Sequence, residues 1–495
     1  MSDPRTLSAS VTGALAALLA AWSLSGCAVS PRYERPAGPT QTGYLDPANV
    51  QPVQPAASVP QVSLDKGAAE RWWTLLGSSE IDQLVMLALK NNRSLAAAKG
   101  HLAAARERLS AARGAWYPEV DAGADAQRTR FGATVLGPLA KDFPPFSAYA
   151  AGAQVSYDFD FFGSTRSRVE QAAATAQYQS AQLEAAALSI SGNVVIEALE
   201  VSVLRAQIRV AERIVADDQH MLGLIRAARE AGAVSQIDVL SAQSQADHDR
   251  TLLAPLHQQL SVAQDVLAVL LGAAPADGTP HEVELSTLRL PDDLPVALPS
   301  ELVRRRPDID AAEAQLHEAG AAVGIATANL YPNFTLTARL GGEGLMSGGP
   351  SETAWNLVGG MSAPIFHGGA LRAERRAAQD EYQAAFAAYQ QTVLNAFGQV
   401  AAALQALVND AELLSAQQRA LDSAAASFTL TRQAYTGGNA GYTQVLDAER
   451  LDQQAELGRV QADGQRYIDI VKLLLAAGGR TDVAPTDGSR LAFHP

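Results

Sequence analysis

Side chains able to do chemistry are plentiful in this chain, but their spacing supports little of it. Eight histidines stand at positions 101, 220, 248, 257, 281, 317, 367 and 494. None forms the His-Glu-x-x-His pattern that sets two imidazoles on one helix face around zinc. His220 and His248 fall on charged helix faces, where solvation is expected. No Gly-x-x-x-x-Gly-Lys-Ser/Thr loop is present to cradle a phosphate, and Gly341-Gly342-Glu343-Gly344 reads as a flexible turn between strands. Ser189 to Gly192 lacks the strand–Ser–helix setting of a nucleophile elbow. Cys27 is the single cysteine, so neither an intrachain disulfide nor a cysteine metal site can form. Asp and Glu (52) outnumber Lys and Arg (38), and the net charge of −14 argues against nucleic-acid binding. Arg304 to Arg306 is the one basic run, and a solvated helix start accounts for it. This is not the residue set of an enzyme, and no metal or cofactor is expected.

The elements that must position these residues are long, and the chain states them twice. Gly114-Ala115-Trp116-Tyr117-Pro118 ends one helix-like run, and Ala328-Asn329-Leu330-Tyr331-Pro332 ends another. Alternating segments follow each, closing on Phe161-Phe162-Gly163 and Phe366-His367-Gly368, after which a very long Ala/Gln-rich stretch begins. The two halves keep register at an offset of about 205 to 214 residues. In Tyr149 to Phe161 one parity reads Tyr149, Ala151, Ala153, Val155, Tyr157, Phe159, and the other Ala150, Gly152, Gln154, Ser156, Asp158. Phe334, Leu336, Ala338, Leu340 and then Trp355, Leu357, Met361 repeat the pattern, while Val120 to Gln127 is its weakest copy. Period-two alternation over about ten residues, aromatic at its ends, suits a membrane β-strand.

The helical signal is stronger. Ser164 to about Glu230 contains no proline and reads as one helix of about 100 Å. Seams at coiled-coil spacing run through Leu183, Ala187, Ile190, Val194, Ala198, Val201, Leu204, Ile208 and through Phe397, Val400, Leu404, Leu407, Ala411, Leu414. Each long helix ends in a glycine turn, near Gly232 and Gly437-Gly438. Returning helices are expected over roughly Gln236 to Leu270 and Tyr442 to Leu475, with an earlier helix from about Ser79 to Arg113. No segment after residue 26 has 18 uninterrupted apolar residues, so these helices are expected to project into water. Aromatics are only 6% of a 47% hydrophobic composition rich in Ala, which favours closely packed helices.

Four membrane strands cannot close a barrel, and open strand edges are not tolerated in hydrocarbon. Several copies of the chain are therefore required; three give about twelve strands.

At the N-terminus, Val11 to Trp22 reads as the apolar core of a signal peptide. Leu24-Ser25-Gly26-Cys27 after it resembles the lipobox of bacterial lipoproteins, in which the cysteine is acylated. Several acyl chains give stable anchoring where one does not. Ala28 next to it resembles lipoproteins sorted to the outer membrane. The mature start Cys27-Ala28-Val29-Ser30-Pro31-Arg32-Tyr33 joins other matching pieces. They are Trp72-Trp73, Leu87-Ala88-Leu89-Lys90-Asn91-Asn92, Leu302-Val303-Arg304-Arg305-Arg306-Pro307-Asp308 and Val445-Leu446-Asp447-Ala448. Together they resemble the TolC-like outer membrane factors of bacterial tripartite efflux systems of the RND type, in their lipoprotein branch.

That resemblance implies a mainly α fold with a β-barrel part. Long antiparallel coiled-coil helices form a trimeric α-barrel, and four strands per chain complete a barrel of about twelve in the outer membrane. The chain then divides into a signal peptide (1–26), a lipidated Pro-rich tether (27–70) and a first-repeat helix (71–115). A first β-hairpin (117–162), a first long helix pair (163–270) and an equatorial segment with the second-repeat helix (271–330) follow. A second hairpin (331–367), a second helix pair carrying the periplasmic gate (368–477) and a tail (478–495) complete it. The implied function is a passive exit duct for small molecules such as drugs, working with an inner-membrane pump and a periplasmic adaptor protein. Its gate falls on Tyr435, Gln444 and Asp447. Gln444 replaces one acidic position of the family's gate and Ala440 its arginine, so another closure is expected here. Three Asp447 carboxylates near one axis would attract cations. The tips that meet the adaptor fall on Gly232, Ser235, Gly438 and Asn439. An exit duct for protein secretion and a structural coiled-coil lipoprotein without a pore are the other readings.

Overall fold

The computed structural model describes residues 34–36, 43–44, 61–63, 71–130, 144–278, 282–291, 293–296, 298–348, 351–479 and 481. Cys27, the signal segment, most of the tether and the tail from 482 lie outside them. In chain order the strands are β1 Gln61–Ser63, β2 Glu119–Thr129, β3 Phe146–Phe159, β4 Asp293–Pro295, β5 Asn333–Leu345 and β6 Glu352–Ser362. The α-helices are α1 Ser79–Asn91, α2 Arg93–Gly114, α3 Ser164–Glu230, α4 Gln236–Arg250, α5 Leu253–Leu270, α6 Pro299–Leu302, α7 Pro307–Ala328, α8 Ala370–Thr436 and α9 Tyr442–Ala476. Both α3 and α8 are unbroken over 67 residues. Two compact units are present, one from residues up to 35, 103–178 and 312–389, the other from 36–102, 179–311 and 390–495.

The first unit carries an antiparallel sheet in the order β2-β3-β5-β6. Its two hairpins are joined by β3 and β5, which place Val155 opposite Ala338 and Gly152 opposite Gly341. The backbones come so close at that glycine pair that a Cβ on Gly152 would lie 2.7 Å from the Leu340 carbonyl oxygen. Gly341 to Gly344 therefore belongs to β5 and not to a turn, because small residues are needed where the neighbouring strand and the Tyr149 ring press in. The alternation runs opposite to that of a water-soluble sheet. Tyr149, Ala151, Ala153 and Val155 are exposed while Ala150, Gly152, Gln154 and Ser156 are half-buried. Polar residues of that second parity bond across the sheet, Thr335 Oγ1 to Asp158 at 2.7 Å and Arg339 to Gln154 at 2.7 Å. Trp355 and Leu357 stand 75% and 63% exposed. An apolar face turned outward is stable only if hydrocarbon replaces water there. Aromatic rings gather at one end: Phe159 stacks on Phe161, Phe161 meets Phe334 edge-on, and Phe162 stacks on Tyr331 at 4.8 Å. Such rings suit a membrane interface.

The second unit is helical around a continuous seam. All eight residues of the α3 seam, Leu183 to Ile208, are buried, as are Val400, Leu407 and Ala411 of the α8 seam. One stretch of α3 is by length and composition apolar enough to cross a membrane, but two thirds of it is buried against the chain, as in a core helix.

Three local expectations are corrected here. The helix expected over Ser79 to Arg113 breaks at Asn92. Its side chain accepts from Ser94 and Leu95 N–H groups and donates to the Leu270 carbonyl at 2.9 Å, restarting the chain as α2. The first returning helix breaks at Thr251-Leu252, because Pro255 has no N–H and its ring crowds the carbonyl four residues back. Arg306 is buried, not solvated. It forms a bidentate pair with Asp308 and donates to the Ala476 carbonyl at 2.9 Å and to Gln399 at 2.7 Å, tying the start of α7 to α9 and α8. His220 and His248 are exposed.

Candidate functional site

The helix tips hold the sequence-derived site residues. Helix α3 ends where Gly232 takes φ +77°, and the Ala233 N–H returns to the Ala228 carbonyl at 2.9 Å. A side chain at that φ would be strained, so glycine is the natural stop. Ser235 then caps α4 with a reciprocal pair: its Oγ accepts from the Asp238 N–H at 3.2 Å, and Asp238 accepts from the Ser235 N–H at 2.8 Å. The second tip repeats the design with different residues. Gly438 takes φ +75°, and the Asn439 N–H reaches the Ala434 carbonyl at 2.8 Å. Gly441 begins α9, and Gln444 Oε1 accepts from its N–H at 3.0 Å. Gly232, Ser235, Gly438 and Asn439 are all exposed.

One apolar cluster joins the two tips. Leu222 and Ile225 of α3, Ala242 and Ala246 of α4, and Tyr442 and Val445 of α9 are buried together, with Phe428 and Tyr435 of α8 packed on them. Tyr435 and Tyr442 meet at 5.8 Å between ring centroids. Burial first, then the nearby Asp238 carboxylate, raises the Tyr435 hydroxyl pKa above its usual value. Of the three residues expected at a gate, Tyr435 is a packing residue of the tip, and Gln444 caps its own helix. Gln444 and Asp447 are both exposed, and Asp447 pairs with Arg450 one turn on at 3.9 Å.

Sequence reasoning missed a neighbouring group. Asp218 on α3, Asp249 on α4 and Glu449 on α9 are 4%, 4% and 5% exposed. Continuing the α3 seam from Ile208 by steps of three and four leads through Ala211 and Val215 to Asp218, then to Leu222 and Ile225. That register was the available signal.

Comparison with known proteins bears on the whole chain. Residues 84–273 and 298–479 match the outer membrane efflux protein family. The pyoverdine export outer membrane protein OpmQ of Pseudomonas putida is 31% identical over 87% of this chain and 92% of its own length. The outer membrane protein OprJ of Pseudomonas aeruginosa is 30% identical over 97% and 98%. Among solved structures, the outer-membrane channel OprN superposes with a TM-score of 0.83 at 27% identity, covering 93% of this chain and 100% of that one. An outward apolar sheet, unbroken long helices and matches over nearly the full length agree: the chain belongs to the outer membrane efflux protein family, whose members are channels and not enzymes.

Proposed function

We propose that three copies of this chain close one barrel of about twelve strands in the outer membrane, continued by a hollow barrel of their paired helices. The observation that carries this is the sheet itself. Among the described residues, its outer strands β2 and β6 have no partner on their free sides, the apolar parity of β3 is its exposed one, and Leu336, Leu340, Trp355 and Leu357 stand exposed on β5 and β6. Such edges are stable in hydrocarbon only when another copy pairs with them. The two halves act as a structural repeat, each supplying one hairpin and one long helix pair. Acylation of Cys27 anchors the mature chain to the membrane.

The duct passively conducts small molecules that an inner-membrane transporter of the RND type delivers through a periplasmic adaptor. Gly232, Ser235, Gly438 and Asn439 meet the adaptor, since both tips present exposed turn backbone. Asp447 forms a ring of three carboxylates that attracts cations at the constriction. Planar-bilayer recording on the purified protein tests both statements. Trimer-sized particles with unitary conductance are expected, with cation selectivity and multivalent-cation block weakened in Asp447→Ala. A monomer without conductance would overturn the duct; unchanged selectivity and block would remove Asp447 from the gate.

A further inference from the structure

We propose that Asp218, Asp249 and Glu449 form a proton-operated latch, which clamps the two helix tips together when protonated and loosens them when ionised. The geometry carries it. On α3 the apolar seam runs Val210, Ile214, then Asp218, then Leu222, Ile225; on α9 it runs Tyr442, Val445, then Glu449, and resumes at Val460. On α4 Asp249 follows Ala242 and Ala246. Three carboxyls from three helices thus occupy core positions between two apolar clusters. Asp218 Oδ2 and Glu449 Oε2 are buried and accept from no N–H or O–H group. Asp218 and Asp249 are within hydrogen-bonding reach of each other, and two carboxyls bond only when a proton lies between them.

From α3 come Asp217 and Asp218, with Arg213 committed to Glu456. From α4 comes Asp249, whose Oδ2 accepts from Gln245 at 2.7 Å. From α9 come Glu449, Asp452, Gln453 and Tyr442, and from α8 the single cation Arg432, which is exposed beside the Phe428 ring. Acids therefore outnumber cations around the cluster. Protons on these carboxyls relieve the repulsion. Burial, then the bond to Asp249, then repulsion from Asp249 and Glu449 push Asp218 up to about 8, against a hydrogen bond from Gln453. Burial and repulsion from Asp249 and Asp217 push Glu449 up to about 7, against Arg432.

Both acids titrate higher folded than unfolded. The clamp is complete below about pH 4 and is lost as pH rises through 7 and 8, by up to about tenfold in the opening equilibrium per pH unit and proton. The latch lies two residues from Asp447 on α9, so loosening it moves the proposed constriction; only this consequence rests on the duct reading.

Hydrogen–deuterium exchange on the full-length protein at pH 6 and pH 8.5, corrected for intrinsic rates, tests the latch directly. Opening of residues 214–253 and 442–456 is expected to rise at least about tenfold at the higher pH. Asp218→Asn combined with Glu449→Gln should abolish that rise. No rise in the native protein, or an equal rise in the double variant, would overturn the latch. Should the double variant not assemble, Glu449→Gln alone is held to the same two outcomes, with a reduced rise expected. Conductance at the two pH values separates the readings: a pH-dependent opening without current leaves the latch and removes the duct, and current without pH-dependent opening does the reverse.

Discussion

The sheet and the helix seam use the same apolar residues in opposite directions. On β3 the apolar parity is exposed and the opposite parity half-buried, on β5 and β6 Leu336, Leu340, Trp355 and Leu357 stand exposed, and Thr335 bonds Asp158 while Arg339 bonds Gln154 across the sheet. On α3 and α8 the seam residues turn inward and Gln, Arg and Glu are exposed, with Leu224, Leu394, Leu413 and Leu430 exposed among them. The difference lies in the solvent and not in the residue types. Hydrocarbon accepts a leucine and rejects an unpaired peptide group, whereas water does the reverse.

The contrast breaks most sharply where each region commits most. Leu199 is fully buried in α3, and Leu199→Ala should destabilise by about 2–5 kcal/mol in thermal or denaturant unfolding. In the sheet the sensitivity moves to the apolar parity. Leu357→Arg should cost about 2–4 kcal/mol in refolding titrations with phospholipid vesicles, if it lies near the bilayer midplane. Asn356→Arg, its neighbour of the other parity, should cost under about 1 kcal/mol. Equal costs for the two would mean that the parity of Leu357 does not face lipid.

A second acid pair in the seam sharpens the helical side. Asp410 of α8 is buried beside Asp469 of α9. Burial first, then repulsion from and the hydrogen bond to Asp469, push it up to about 6, against Lys472 and Arg466. Lys472 and Gln465 satisfy Asp469, both at 2.8 Å, while Asp410 Oδ2 has no donor. Because the folded pKa is raised, stability should fall between about pH 4 and pH 6 and level off above. Asp410→Asn should recover on the order of 2 kcal/mol at pH 8 and little at pH 4.5, read as the change in unfolding midpoint at each pH.

How much of this was legible depended on whether a pattern was local. The long helices and the strands followed from period and from the Pro and Gly stops at Pro118, Gly163, Pro332 and Gly368, since backbone sterics act over a few residues. The break at Asn92 was not legible, because its side chain is held partly by Leu270, 178 positions away. Pro255 was legible and was passed over, although proline one turn into a helix marks its start. Arg306 looked like part of a solvated basic run because its partners Gln399 and Ala476 are distant in sequence. At the tips, the glycine turns and the Ser235 cap were readable, whereas the commitment of Gln444 to the Gly441 N–H was not. Asp218, Asp249 and Glu449 drew no notice, since a carboxylate on a seam is visible only once the seam's register is carried through it.

The smallest effect distinguishes the two tips from each other. The α3–α4 tip is held by three hydrogen bonds between Ser235 and Asp238, whereas the α8–α9 tip has glycine at the cap and one bond to Gln444. Ser235→Ala removes an acceptor for the Asp238 N–H and should lower stability by about 1 kcal/mol. Gly441→Ser adds a side-chain acceptor at the corresponding place on α9, where φ is −85° and ψ 157° and any residue fits. It should gain a few tenths of a kcal/mol. Local exchange rates at residues 236–240 and 442–446 report the two changes separately. If both tips respond equally, the asymmetry in their caps has no energetic weight, and the two ends of the helix pairs are equivalent in rigidity as well as in fold.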